Sequence, residues 1–105
     1  MMLTVVAEVI CASENDFDSV LESFKKIRPL VLQEGGCYGY DIHIDDLSGE
    51  SAMQAKVPFS IMMYEKWKTR QDLEMHMRSV NMKAHHEATQ ALSLQIKVRI
   101  LEQVQ

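Results

Sequence analysis

Cysteine is scarce in this sequence: Cys11 and Cys37 are the only two in 105 residues. One bridge is the most they could form, so a disulfide scaffold is excluded. Proline and glycine are scarce as well, two and four residues, which excludes collagen-like and low-complexity chains. No apolar run approaches the ~18 residues of a membrane-spanning helix. The start, Met1-Met2-Leu3-Thr4-Val5, sets no charged segment before an apolar one and does not read as a signal peptide. Positive charge is in deficit, 11 Lys and Arg against 15 Asp and Glu, a formal net charge of −4. That balance argues against a nucleic-acid binder held by phosphate neutralisation. The expectation is one globular domain over residues 1–105, cytoplasmic, with neither nucleic acid nor membrane as partner.

What is present is periodic. Leu3 to Cys11 is rich in Val and Ile and reads as a strand. Ser13 stands three residues before Asp16, a helix N-cap signal. Phe17, Val20, Leu21, Phe24, Ile27 and Val31 follow at helical spacing, and Pro29 should bend or split that helix near Ile27 or Arg28. Gly35-Gly36 ends it. From Cys37 to Ile44, Tyr38, Tyr40, Ile42 and Ile44 alternate onto one face of a strand. Ser48 to Val57 is polar and reads as a mobile segment over an opening. Phe59 to Trp67 is a further strand, with Ile61, Met63, Glu65 and Trp67 on one face. Thr69 caps a second helix whose inward stripe is Leu73, His76, Met77 and Val80. A break near Ser79 precedes another helical piece, and Leu92 to Val104 closes the chain as a strand.

The order strand, helix, strand, strand, helix, strand predicts a ferredoxin-like βαββαβ α+β fold around one antiparallel sheet. Apolar residues on both sheet faces, with helices for only one, predict a homodimer.

Several chemistries are missing. No glycine-rich phosphate loop, paired-cysteine metal site or nucleophile elbow occurs, and the adjacent His85 and His86 point to different sides of a helix. The constellation that remains is Tyr38, Tyr40, Met63, Glu65, Trp67 and His76. Aromatic and Met residues at strand spacing build cores. An imidazole two turns into the next helix, returning over a strand-end indole, also suits a flat apolar ligand with ionisable oxygens. His76 is therefore either a core imidazole bonded to a carbonyl or to Glu65, or a base facing a cavity.

The segment Glu34-Gly35-Gly36-Cys37-Tyr38-Gly39-Tyr40-Asp41-Ile42-His43 resembles the Glu-Pro-Gly-Cys, Tyr, Asp/Glu-Leu segment of the antibiotic biosynthesis monooxygenase family. Tyr64-Glu65-Lys66-Trp67, Leu73, His76, Ser79 and Lys83-Ala84 resemble its second block, and the likeness runs over about residues 3 to 103. Small bacterial quinol monooxygenases and autoinducer-degradation proteins are most similar. The resemblance implies a dimeric α+β barrel with a ligand cavity between sheet and helices. It implies oxygen insertion into a quinol or polyphenol without flavin, haem or metal, hence no cofactor. His76 falls on the family's helix histidine, the catalytic position, and Trp67 on its strand-end aromatic. Tyr38, Tyr40, Met63, Glu65 and Trp67 are the expected cavity residues, and a small aromatic or quinone-like molecule the expected ligand. Gly35 replaces the family's Pro, and Val80-Asn81 replaces a Pro-His pair. The haem-degrading branch carries an asparagine in its first strand, and Leu3 to Cys11 has none. A non-oxidative isomerase or ligand-binding protein of the same fold is the alternative.

Overall fold

A computed structural model describes residues 2–49 and 52–105. The elements are β1 (Leu3–Cys11), α1 (Glu14–Val31), β2 (Cys37–His43), β3 (Ser60–Trp67), α2 (Arg70–Met77), α3 (Val80–Thr89) and β4 (Leu94–Glu102). The strands form a four-stranded sheet in the order β2-β3-β1-β4, every neighbouring pair antiparallel.

Each helix starts where a hydroxyl side chain replaces a missing backbone partner. Ser13 accepts from Asp16 N at 3.1 Å, Thr69 from Asp72 N at 3.1 Å and Ser79 from Met82 N at 3.2 Å. Asp16 and Asp72 also place negative charge in the first turns of α1 and α2. Pro29 does not split α1. It lies in the last turn, where the carbonyl it orphans belongs to the exposed Lys25 and is open to water. The neighbouring Arg28 ties that turn to β2, donating to Tyr40 O at 2.7 Å and to Asp41 Oδ1 at 2.9 Å.

The core lies between sheet and helices. Val5, Ala7 and Val9 of β1 and Ile61, Met63 and Trp67 of β3 are buried under Val20, Phe24, Ile27 and Val31 of α1. α1 packs on β1, β2 and β3, α2 on β3 and α3 on α1, while none of the helices packs closely on β4. Ile96, Val98 and Ile100 on the helix side of β4 are consequently 58%, 54% and 39% exposed.

One expectation is corrected here. The dimeric α+β barrel of a ferredoxin-like βαββαβ chain is not what the sheet forms: it is an open sheet of four strands with β2 and β4 at its edges, and the helical layer has three helices. Four strands leave two edges unpaired, and closure requires every edge to find a partner. Apolar side chains do lie on both faces of the sheet. The face away from the helices mixes Val6, Ile10, Met62 and Tyr64 with Thr4, Glu8, Lys66, Lys97 and Arg99. Further uncovered apolar surface lies on the helix side of β4.

Candidate active site

His76 is 3% exposed, and its ring lies on that of Trp67 with centroids 4.5 Å apart. Tyr40 meets the same imidazole edge-on at 5.5 Å. Nδ1 is 2.9 Å from Glu34 Oε1, and the other carboxylate oxygen of Glu34 accepts from Asn81 Nδ2 at 2.8 Å. A carboxylate accepts, so Nδ1 carries the hydrogen and Nε2 presents a lone pair. Nε2 stands 4.0 Å from Glu65 Oε1, beyond hydrogen-bond reach.

Local structure explains how Glu34 arrives. Gly36 sits at φ 77°, and a Cβ there would collide with the Asp72 carboxyl at the start of α2. Only glycine admits that backbone and that approach. The approach brings the Glu34 turn against the helix that carries His76.

Beside His76 opens a cavity of about 230 Å³. Val5, Ala7 and Met63 floor it, Ile96, Val98 and Ile100 bound its β4 side, and Tyr40, Glu65, His76, Met82 and His85 are among the other residues around it. It is below the ~300–1,000 Å³ usual for small-molecule sites, which suits one or two fused rings. Burial pushes the Glu65 carboxyl above its ordinary value, against the opposing donation from Trp67 Nε1 at 2.9 Å. Burial also pushes the Tyr40 hydroxyl up, with Glu65 and Glu34 adding to the effect, so Tyr40 stays protonated.

On α3, His85 is buried, stacks on Phe24 at 4.2 Å and has Nδ1 2.8 Å from Ser23 Oγ. Burial, with His86 adding, pushes its imidazole down to about 4. The unfolded chain takes that proton near the ordinary value of 6.5. Stability from this group is therefore full above 6.5 and is lost as pH falls toward 4. Urea denaturation should show a loss of up to about 2 kcal/mol between pH 7 and pH 5, and His85→Phe should flatten that slope. An equally steep slope in the variant would assign it to other groups.

Of the residues singled out from sequence, Tyr40, Met63, Glu65 and His76 line the cavity. Trp67 is fully buried behind His76 and is not part of the cavity wall. Tyr38 is corrected: it is 60% exposed and lies outside the cavity. The β2–β3 register passes from Cys37↔Trp67 directly to Gly39↔Lys66, and that bulge leaves Tyr38 without a cross-strand partner. Val80 is also corrected, from inward stripe to 70% exposed, because it begins a new helix after Ser79. The segment Ser48 to Val57 includes residues 50 and 51, which lie outside the described residues. Its described part folds on itself, with Val57 N donating to Asp45 Oδ2 at 2.7 Å and Gln54 Nε2 to Asp46 O at 3.0 Å. It enters β3 at Ser60, the end opposite Trp67 and His76, so it does not cover His76.

Glu34, Asn81, Ser23 and His85 were not legible as site residues. Their partners are 42 to 62 residues away in sequence. One signal existed for Ser23, a serine on the apolar stripe of α1 between Val20 and Ile27.

The architecture and the cavity define a small α+β protein with a compact, largely apolar cavity beside one histidine–carboxylate pair. The sequence model of the family described as antibiotic biosynthesis monooxygenase matches residues 2–88, and the chain belongs to that family. It is 40% identical over 102 residues to "Probable quinol monooxygenase YgiN" of Escherichia coli (strain K12), covering 96% of this chain and 97% of the relative, and matches the Shigella flexneri protein of the same name equally. A conserved protein of Methanosarcina mazei Go1 shares its fold with a TM-score of 0.79 at 21% identity, covering 99% of this chain and 94% of that one. PA3566 of Pseudomonas aeruginosa does so with 0.78 at 23% identity, covering 99% and 95%. Among the described residues no cluster of three or more His, Cys, Asp or Glu could hold a metal ion, and no helix is long and apolar enough to cross a membrane.

Proposed function

We propose that the protein is a cofactor-independent monooxygenase of a small quinol. The observation that carries this reading is His76, with Nδ1 anchored on Glu34 and Nε2 directed to the Glu65 side, where the apolar cavity lies. Family membership and the named activity of the Escherichia coli relative support it.

The chemistry balances without a further reductant. One quinol and one dioxygen give one hydroxyquinone and one water, and the substrate supplies all four electrons. His76 Nε2 takes the proton from a quinol hydroxyl, and the electron-rich ring then delivers electrons to dioxygen. A carbon–oxygen bond forms at the ring, the ring C–H proton leaves and the O–O bond breaks, releasing water. Glu34 stabilises the imidazolium as it forms. It also borders a surface recess with Asp72, Ser79 and Asn81, which gives the proton an exit. The apolar walls hold ring and dioxygen together and exclude water.

The test is an oxygen electrode with 1,4-naphthoquinol. Uptake should exceed the buffer rate without added flavin, and isotope-labelled dioxygen should appear in a hydroxynaphthoquinone with no peroxide formed. Quinone plus hydrogen peroxide in equal amounts would mean simple autoxidation and reject the reading. Ligand binding without uptake would favour the isomerase or binding-protein alternative.

We also infer a homodimer. Ile96, Val98 and Ile100 border the cavity without cover, and the Cα radius of gyration is 14.4 Å against ~13 Å for a compact chain of this length. The slab is only 20 Å thick across extents of 38 and 37 Å. Sedimentation at low micromolar concentration should give about twice 12.1 kDa, and a clean monomer would contradict it. The unpaired Cys11 and Cys37 suit a reducing, cytoplasmic setting.

A further inference from the structure

The carboxyl of Glu65 is buried, borders the cavity and has no part in the chemistry described so far. Its Oε1 accepts from Trp67 Nε1 at 2.9 Å, and its Oε2 makes no hydrogen bond. His76 Nε2 makes none either, because the ring is held to Glu34 through Nδ1. Among the described residues no buried side-chain nitrogen or oxygen lacks a partner, so neither Oε2 nor Nε2 is sealed in protein. The space that both residues border is the cavity. Nε2 and Oε1 are 4.0 Å apart, too far for a direct bond and close enough for one oxygen atom to sit ~2.8 Å from each group. The hydroxyls of Tyr40 and Thr89, also at the cavity, are directed elsewhere, to Met82 Sδ at 3.9 Å and to the His85 carbonyl at 2.9 Å. An ionised Glu65 and the Nε2 lone pair are both acceptors, and a single hydroxyl has one hydrogen to give. A hydroxyl bound to both therefore needs a second hydrogen, and the carboxyl is the group that can carry it.

We propose that Glu65 is a second catalytic residue: one phenolic oxygen of the ligand bridges it to His76, donating its hydrogen to Nε2 and accepting one from the protonated Glu65 carboxyl. This rests on the reading of the cavity as a site for a phenolic ring and adds the group that holds the oxygen while it loses its proton. Oε1 stays with the indole, and Oε2 carries the hydrogen. When the phenolic proton passes to Nε2, the negative charge on the oxygen meets two donors, the imidazolium N–H and the Glu65 O–H. No other proton moves. An apolar site can keep a carboxylic acid neutral and use it as a donor to such an oxygen. Burial pushes the Glu65 carboxyl up, and the negative charge of Glu34 adds to the effect, against the donation from Trp67 and the charge of His76.

The test is anaerobic binding of 1-naphthol, which has one hydroxyl, followed by the fluorescence of Trp67, the only tryptophan, which lies against His76. Infrared difference spectra of the complex at pH 8 should show the C=O stretch of a protonated carboxyl, and Glu65→Gln should lack it. Glu65→Gln keeps a donor for the ligand and an acceptor for Trp67, so its affinity should stay within about threefold of the parent, whereas Glu65→Leu, with no donor, should bind about tenfold more weakly. Where the free carboxyl is ionised, binding takes up a proton and the parent's affinity falls up to about tenfold per pH unit. Glu65→Gln should remove that fall between pH 6 and 8. Of the other titratable groups around Glu65, burial keeps Tyr40 and Cys37 protonated and His85 neutral over that range, and the Glu34–His76 pair is present in both proteins. A flat parent profile with the carboxyl band present places the proton on Glu65 before binding and supports the proposal. A band missing from the parent complex or surviving in Glu65→Gln overturns it, and so does a fall in affinity that Glu65→Gln retains, or a parent that does not bind 1-naphthol. Should Glu65→Leu fail to fold, the band and Glu65→Gln decide. The band without oxygen uptake from a quinol would leave this proposal standing and remove the monooxygenase, and uptake without the band would do the reverse.

Discussion

His76→Phe should lower turnover of a quinol by roughly 10²–10⁴ while leaving the circular dichroism spectrum unchanged. Phenylalanine retains the ring against Trp67 and Tyr40 and deletes both nitrogens. Glu34 keeps Asn81 as a donor at 2.8 Å, so the carboxylate is not stranded. Glu34→Gln is the companion variant, because an amide can donate to Nδ1 and turn the imidazole to its other tautomer, with a hydrogen rather than a lone pair at Nε2. It should slow turnover and change the pH profile with little effect on ligand affinity. Turnover of His76→Phe within about twofold of the parent would reject the catalytic role, and loss of the fold would make His76 a structural imidazole.

Trp67→Ala should cost about 3–5 kcal/mol of stability, the largest loss expected from any single position. Trp67 is fully buried at the end of β3, supports the His76 ring and donates its indole hydrogen to Glu65 at 2.9 Å. Truncation leaves a cavity and removes the donor that opposes the burial of Glu65, whose carboxyl is then pushed further up. For a chain of this length each kcal/mol lowers Tm by about 4–8 °C, so the melting temperature should fall by roughly 15 °C or more. Trp67→Phe should lose much less and isolate the hydrogen bond from the packing. A loss in Trp67→Ala below about 1 kcal/mol would show that the neighbouring side chains collapse into the space.

The strands and caps were legible because they are local. In β3, Ile61, Met63, Glu65 and Trp67 alternate onto the buried face without interruption, and Ser13 and Thr69 each cap the helix they precede. The same alternation misplaces Tyr38, because a bulge adds one residue to the pleat and alternation cannot register it. It also misplaces Val80, since a helical stripe drawn through a break continues on paper and not in the chain. Barrel closure was an inference from family resemblance, and the open edges of β2 and β4 correct it. The partner of His76 was within a quoted motif, yet nothing local connects Glu34 to a histidine 42 residues later. That link depends on Gly36 and its close approach to Asp72, a tertiary fact expressed in a single glycine.

β1, the first strand, pairs along its whole length with β4, the last. Ser23 and His85 meet across 62 residues, and the β4 wall of the cavity is supplied by Ile96, Val98 and Ile100. During synthesis β1 therefore emerges long before the strand that completes it. Until β4 arrives, one edge of β1 stays unpaired and open to strands of other chains. Contacts so distant in sequence also slow folding, because long loops must close before they are rewarded. A chain shortened ahead of Leu94 retains the sequence of every helix and all four histidines, yet lacks the β4 wall of the cavity. The cavity wall is thus complete only once β4 has joined β1.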